Sequence, residues 1–402
     1  MRYRTSEIDV MQPLIPLQLA HDESGVGILV RRGNRPIGYL LKETEPGILL
    51  TCEILEEWIV ESLKLKIVEE ALSKELSRTE CQPQMPSVSV AICTHDRPQR
   101  LIRCLRSLEM IRDHHGIEIL VVDNAPRDGA TASAAAQFPS VRYVVEKCAG
   151  LDFARNRAWL EAKGDWITYL DDDVIVDKWW FEGLQEAWKE NQDASAFTGL
   201  VMPLELGSRA QILFERRDGF RRGFDKRRYG ASLPGNPLYP CGAGIFGAGC
   251  NMAFRRDVLR ELGGFDDALD TGASLPGGGD LDMFYRVIRA GGVLVYEPSY
   301  MVFHEHRHSE TDLQRQYFSW GLGFMAFVGK HLHGSVEDKD RFRSLARWWA
   351  RDQLRQLKAS LRSRHPLPPR MILAEISGGI MGILGQYRRS CKRIERIRDK
   401  VS

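Results

Sequence analysis

The chain reads as an α/β protein built on a doubly wound, mainly parallel sheet, and three observations predict it. From Ser87 onward, short apolar runs alternate with amphipathic stretches in a strand–helix–strand rhythm, which is how parallel strands joined by crossover helices are written. Runs such as Val88–Cys93 are apolar without alternation, as strands buried on both faces are. Polar clusters follow these runs directly: Thr94 and Asp96, then Asp123 and Asn124, then Asp171, Asp172 and Asp173. Open α/β sheets bind their ligands just beyond the carboxyl ends of the strands.

The elements follow in order. Residues 1–82 form a small accessory β/α module. Val26–Leu41 predicts two strands around a Gly33-Asn34-Arg35-Pro36 turn, and a helix follows over Ile54–Leu76. Residues 82–86 read as the linker out of it. In the next unit, 87–308, Val88–Cys93 is a strand, Arg97–Ile111 a helix, Ile117–Val122 and Val141–Val145 strands, Leu151–Ala162 a helix and Trp166–Leu170 a strand. That last strand runs into the Asp triplet, after which a helix is expected. Residues 202–240 carry Arg216, Arg217, Arg221, Arg222, Arg227 and Arg228 among many Gly and Pro, which predicts either a mobile lid or a solvated loop. Small residues at 247–250, a turn at Gly263–Asp267 and a Gly-rich loop at 271–279 lead to a helix opened by Asp280 and Asp282. Val302–His308 is strand-like, with His304, His306 and His308 at alternate positions. Residues 309–402 are helical. The aromatics between Leu313 and Gly329 recur at helical spacing and are expected to pack as core.

Composition narrows the function classes. A chain of 402 residues, 43% hydrophobic and 27% charged with net charge +2, has room for two or three ordinary globular domains. No charged-then-apolar leader stands at Met1, so no secretory signal is expected. No apolar run reaches the roughly 18 residues that a membrane span needs. Eight cysteines without a CxxC pair read as reduced thiols, and a cytoplasmic location is expected. No GxGxxG stands directly after the first strand, where a dinucleotide site would need it, and no GxxxxGK[ST] occurs, so neither a dinucleotide site nor a P-loop is supported.

Three adjacent carboxylates at a strand end repel one another unless solvent or a cation neutralises them. Oxygen ligands favour a hard ion, Mg²⁺ or Mn²⁺, shared with a substrate phosphate. The plain alternative is a solvated acidic turn. Asp280 and Asp282 either cap their helix or include a general base. His304 is a candidate third metal ligand.

Residues 87 to about 308 resemble the family 2 glycosyltransferases, which have the GT-A fold. Thr94-His95-Asp96-Arg97 is similar to that family's T-x-N/D-R opening, Val122-Asp123-Asn124 to its V-D-D/N, and Gly150–Asn156 to its G-x-x-x-A-R-N. Asp171-Asp172-Asp173 is similar to its D-x-D motif, and Gly279-Asp280-Leu281-Asp282 to its G-E-D-x-D, with Gly279 in the place of the glutamate. The resemblance implies an inverting, metal-dependent transfer of a sugar from a nucleoside-diphosphate donor to a glycan or lipid-linked acceptor, in polysaccharide or glycoconjugate synthesis. It implies Asp173 as metal ligand together with Asp171 and His304. Asp171 would also face ribose and donor sugar beside Asp172. Thr94, Asp96, Arg97, Asp123 and Asn124 would line the nucleotide site, with Arg155 on donor or phosphate. Asp280 would be the base, with Asp282 as the alternative if the register shifts. Two rival classes are a metal-dependent nucleotidyltransferase, which would want a Gly-rich basic loop after the first strand, and a non-catalytic sugar-nucleotide or glycan-binding protein.

Charge is distributed unevenly. Residues 341–402 hold 16 Lys and Arg against 4 Asp and Glu, net +12, which leaves −10 for the rest of the chain. Arg343, Arg347, Arg351, Arg355, Lys358 and Arg362 recur at steps of three or four and make one basic helix face. Such a face either lies on an anionic membrane, through residues 341–400, or is simply solvated. No nucleic-acid recognition motif is present, and no such partner is expected.

Overall fold

The computed structural model describes residues 1–76, 84–269, 275–332 and 336–401. Part of the expected linker (82–86) and part of the Gly-rich loop (271–279) lie outside the described residues.

The N-terminal module holds β1 (Arg2–Asp9), β2 (Leu17–Gln18), β3 (Glu23–Arg32), β4 (Arg35–Glu43), β5 (Leu49–Leu50) and α1 (Cys52–Leu76). β3 and β4 form the expected hairpin, and β1, which the sequence reading missed, adds in parallel to β3. The module has its own core, centred on Val26, Ile28, Val30, Leu40, Leu55 and Ile59. It is also pinned to the next unit. Arg31 is buried and pairs with Asp177 at 2.5 Å and with Glu7 at 2.9 Å.

The central unit runs β6 (Val88–Thr94), α2 (Pro98–His115), β7 (Glu118–Asn124), α3 (Ala130–Ala135), β8 (Val141–Glu146), α4 (Leu151–Glu161), β9 (Trp166–Asp171), β10 (Val174–Val176), α5 (Trp180–Glu190), β11 (Ala196–Pro203), α6 (Arg209–Glu215), β12 (Arg227–Tyr229), β13 (Asn251–Arg255), α7 (Arg256–Leu262), α8 (Gly279–Arg289) and β14 (Leu294–His304). Its sheet has the order β10-β14-β11-β13-β9-β6-β7-β8, with β12 paired to β14. β6, β7, β8, β9, β11 and β14 share one direction, and β10, β12 and β13 oppose them. The apolar strands pack on both faces. Val90 and Ile92 meet Leu101 and Leu105 of α2, while Ala91 and Cys93 face Ala154 and Ala158 of α4.

Two expectations are corrected here. The chain after the Asp triplet is not a helix. Asp172 and Asp173 form a turn into β10, and the helix begins only at Trp180. Nor is 202–240 a free arginine-rich lid. Arg216 bonds Tyr3 Oη and Glu43, Arg217 pairs with Glu375, Arg221 with Glu215, and Arg228 with Asp193. These four guanidiniums are each matched to a carboxylate, and Arg222 donates to the carbonyls of Gly244, Phe220 and Arg221, so these residues bind segments together.

The C-terminal region is helical as expected: α9 (Glu310–His331), α10 (Val336–Leu361), α11 (Pro369–Met381) and α12 (Tyr387–Val401). α9 and α11 pack backbone to backbone, since a Cβ on Gly321 would fall 2.0 Å from the Glu375 carbonyl oxygen. Tyr317 and Phe327 of α9 are core, as their spacing predicts. No helix among the described residues is long and apolar enough to cross a membrane.

Candidate active site

Strand register builds the site. In the parallel ladder Thr94 stands beside Asp123, and Cys93 beside Asp171. The carboxyl ends of β6, β7 and β9 therefore set Thr94, Asp123 and Asp171 in one row. On the other side, Val174 of β10 pairs with His304 of β14, and the Glu305 N–H donates to the Asp173 carbonyl at 2.9 Å. This pairing brings His304, 131 residues away in sequence, to the triplet: its Nε2 is 3.4 Å from Asp173 Oδ1.

The three aspartates differ. Asp172 is engaged by the protein, receiving Thr94 Oγ1 at 2.7 Å and Arg97 Nη1 at 3.2 Å. Burial and the neighbouring Asp173 raise its pKa, and Thr94 and Arg97 counter them. Burial, then repulsion from Asp173, pushes Asp171 up to about 7. Burial acts on Asp173 as well, but His304, Arg307, Arg97 and Arg100 face it and hold it below the ordinary carboxylate value. Burial drives His304 down to about 4 and His306 to about 3, so both rings are neutral near pH 7.

Among the described residues no group of three or more His, Cys, Asp or Glu is placed to hold a metal ion, so the expected set Asp171, Asp173 and His304 does not stand as a ready three-ligand site. Asp173 and His304 are the pair that comes together, with Asp171 beside them. Such an open set fits Mg²⁺ or Mn²⁺, which take one or two protein ligands and complete their shell with water and substrate phosphate. Burial first, and Asp173 second, disfavour the charged form of Asp171, and a cation beside it would favour that form again.

Asp123 is fully buried at the cleft. Tyr143 Oη donates to its Oδ2 at 2.6 Å, and its Oδ1 has no hydrogen-bond partner among the described residues. A buried acceptor left open this way fits a ligand N–H or O–H. Asn124 differs: its Nδ2 donates to the Cys148 carbonyl at 2.7 Å and its Oδ1 accepts from Gly150 N at 2.8 Å, so its amide holds the loop that leads into α4. Asp96, at φ 51°, pairs with Arg127 Nε at 2.6 Å.

A further carboxylate comes from α8. Asp280 accepts from Gly249 N at 3.1 Å and from Leu281 N at 2.9 Å. A Cβ on Gly249 would sit 3.0 Å from Arg155 Nη2 and 3.1 Å from Asp280 Oδ2, so only glycine leaves this gap open. Arg155 is buried, bonded to Asp152 at 3.0 Å and packed over Phe265. Burial disfavours its charge, and Asp152, Asp171 and Asp280 more than restore it. Asp282 is fully buried. Lys330 Nζ at 2.7 Å and His331 at 2.8 Å meet its Oδ1, and Arg286 Nε at 2.7 Å meets its Oδ2. These partners hold it well below the ordinary carboxylate value despite burial. Asp282 is thus engaged by cations on both oxygens, and Asp280 is the carboxylate beside the gap.

Asp152, Glu215, His306 and Tyr143 were not foreseen as site residues. Asp152 has the plainest signal, since it stands three residues before Arg155 on one helix face. A Cβ on Gly279 would fall 1.9 Å from Asp152 Oδ2. The carboxylate of Asp152 thus fills the space where the resemblance places a glutamate.

Comparison with known proteins agrees with this geometry. Residues 89–263 match the model of the family described as Glycosyl transferase family 2. The chain is 26% identical over 270 residues to a pre-mycofactocin glycosyltransferase of Mycobacterium tuberculosis, covering 62% of this chain and 51% of that protein. It is 27% identical over 256 residues to the succinoglycan biosynthesis protein ExoM of Rhizobium meliloti, covering 61% of this chain and 77% of that one. The matched stretch thus spans about half the length of the mycobacterial relative. Among solved structures, a mannosyltransferase of Pyrobaculum calidifontis in complex with GDP-Man and Mn²⁺ shares the fold, at TM-score 0.50 and 17% identity over 79% of this chain and 94% of that one.

Proposed function

We propose that this chain, whose residues 89–263 match the model of glycosyl transferase family 2, moves a sugar from a nucleoside-diphosphate donor to an acceptor hydroxyl with inversion at the anomeric carbon. The observation that carries the proposal is that Arg155 is favoured in its charged form by both Asp171 and Asp280, which brings the strand-end carboxylates and the α8 carboxylate to one place. Asp173 and His304 meet beside Asp171, and Asp280 lies at the Gly249 gap. The open Oδ1 of Asp123 receives the nucleoside base, on the rim shared with Asp96. Thr94 and Arg97 keep Asp172 fixed, and Asn124 keeps the loop before α4 in place. A divalent ion, Mn²⁺ or Mg²⁺, held by Asp173 with His304 and Asp171 would stabilise the charge that develops on the diphosphate leaving group. Asp280 takes the proton of the attacking hydroxyl. Arg155 sits under the gap, held by Asp152, and keeps positive charge near the reacting centre. Similarity to a succinoglycan biosynthesis protein favours a glycan or lipid-linked acceptor in polysaccharide or glycoconjugate assembly.

The location we propose is the cytoplasmic face of a membrane, touched through residues 341–400. The outward side of α10 carries Arg347, Arg351, Arg355 and Lys358 with exposed Trp348, Leu354 and Leu361; that of α11 exposes Leu373, Ile380 and Met381. Apolar residues set among cations match an anionic lipid surface.

Thermal shifts against a panel of sugar nucleotides, each with and without Mn²⁺, test the function. Stabilisation by one or more nucleoside-diphosphate sugars, and more so with the metal, is expected. No shift with any member of the panel would contradict it.

A further inference from the structure

A buried chain of hydrogen bonds runs away from the candidate metal position, and nothing in the transfer described above uses it. It starts at Arg221, which donates through Nη1 to Glu215 Oε2 and through Nη2 to the Glu215 carbonyl at 3.2 Å. Glu215 Oε1 then lies 2.8 Å from His306 Nε2, and His306 Nδ1 lies 3.1 Å from His304 Nδ1. The far end is His304 Nε2, 3.4 Å from Asp173 Oδ1. The two imidazoles are i and i+2 on β14 and its extension, so they share one face. They are enclosed by Phe214 and Phe220, whose ring centroids lie 4.8 and 5.8 Å from that of His306.

With both imidazoles neutral, proton bookkeeping along this chain has one solution. Glu215, paired with Arg221, offers only acceptors, so His306 must present Nε2–H to it. A neutral imidazole carries one N–H, and the aromatic enclosure disfavours a second. His306 Nδ1 is therefore an acceptor, and His304 Nδ1 must be the donor. That leaves His304 Nε2 with a bare lone pair aimed at a carboxylate oxygen. The separation of 3.4 Å exceeds the usual range of about 2.7–3.2 Å for N–H···O. It is close to the spacing of two neighbouring ligands on one ion, which stand about 3.0 Å apart when each bond is about 2.1 Å.

We propose that Glu215 and His306 are positioning residues that fix the tautomer of His304, so that its Nε2 lone pair and Asp173 together face a divalent cation. The inference rests on the metal reading above and concerns residues that never touch the ion. Outer partners of metal-bound histidines commonly set the tautomer in this way, and their loss lowers affinity by roughly 10–100-fold.

The full chain, labelled with ¹⁵N-histidine and free of metal, tests it by long-range ¹H–¹⁵N correlation, which reports which ring nitrogen carries the proton. The expected wild-type spectrum shows His306 protonated on Nε2 and His304 on Nδ1. Glu215→Gln is the perturbation. Arg221 takes the amide oxygen, so the amide NH₂ turns to His306 Nε2 and the chain reverses, leaving His304 protonated on Nε2. Mn²⁺ binding, followed by electron paramagnetic resonance with GDP or UDP present, should weaken roughly 10–100-fold in that variant. A wild-type His304 protonated on Nε2 overturns the proposal without any variant, as does an unchanged His304 tautomer in folded Glu215→Gln. If the wild-type tautomers are as assigned but Mn²⁺ fails to bind with either nucleotide, the metal reading falls and the tautomer chain stands.

Discussion

Replacing Asp282 by Asn should cost stability rather than chemistry, and its size can be worked from its partners. The carboxylate is fully buried and faces three donors: Lys330 Nζ at 2.7 Å, His331 at 2.8 Å and Arg286 Nε at 2.7 Å. Breaking a buried ion pair by removing one partner costs roughly 3–5 kcal/mol. The lower end applies here, because the cations keep other contacts. Lys330 also meets Asp266 at 2.6 Å, and Arg286 donates to the carbonyls of Leu262 and Gly264 at 2.9 and 2.7 Å. A loss of about 3 kcal/mol, at an m-value of about 3 kcal/mol per molar, moves the urea midpoint down by about 1 M. Tryptophan fluorescence during urea unfolding reads this directly. The pH dependence follows from the depressed carboxyl. A group whose folded pKa is lowered contributes stability above its unfolded pKa, about 3.9, and loses that contribution as pH falls toward the folded value. The wild-type advantage over Asp282→Asn should be full above about pH 5 and shrink below about pH 4. A midpoint change under about 0.2 M at pH 7 would refute the anchor role, as would a gap between the proteins that widens in acid.

Three further outcomes are expected. Gly279→Ala places a methyl 1.9 Å from Asp152 Oδ2 and 2.6 Å from the Leu269 carbonyl oxygen, so it should cost about 1–3 kcal/mol in urea unfolding and reduce donor turnover by disturbing Arg155; normal turnover would show that Asp152 does not matter to the site. Asp173→Asn should weaken nucleoside-diphosphate binding as much as chelator weakens it in the wild type, measured by calorimetry, and equal affinity with and without divalent metal would contradict that. Co-sedimentation with anionic vesicles should be strong at low salt and fall at high salt, each Lys or Arg at the surface contributing about 1 kcal/mol; no sedimentation at low salt would leave the α10 face merely solvated.

The sheet was legible because burial on both faces writes itself as unbroken apolar runs, and Val88–Thr94, Glu118–Asn124 and Trp166–Asp171 fell within a residue or two of expectation. β1 was not, since Arg2–Asp9 alternates charge with few apolar residues and takes its place only by pairing with β3. Asp171–Asp173 and Asp280 could be read as candidate site residues from their positions at a strand end and a helix start. What could not be read was which neighbour claims each group. Asp172 goes to Thr94 and Asn124 to the 148–150 loop through contacts set by register and loop closure. The arginines of 202–240 were misread for the same reason, because Glu43 and Glu375 lie far away in sequence. The alternation of His304 and His306 was visible, but Glu215 is 91 residues from His306 and no local pattern points to it.

The central claim, that Asp280 is the base of a sugar transfer, is tested most directly by nucleoside-diphosphate release. The donor that binds in the panel is supplied with Mn²⁺, and wild type is compared with Asp280→Asn at equal folded concentration. Asp280 is partly exposed and among the described residues accepts two backbone N–H bonds, so the variant should unfold within about 1 kcal/mol of wild type and bind donor as before. Its turnover should fall roughly 10²–10⁴-fold. Turnover near the wild-type rate in the folded variant would contradict the account.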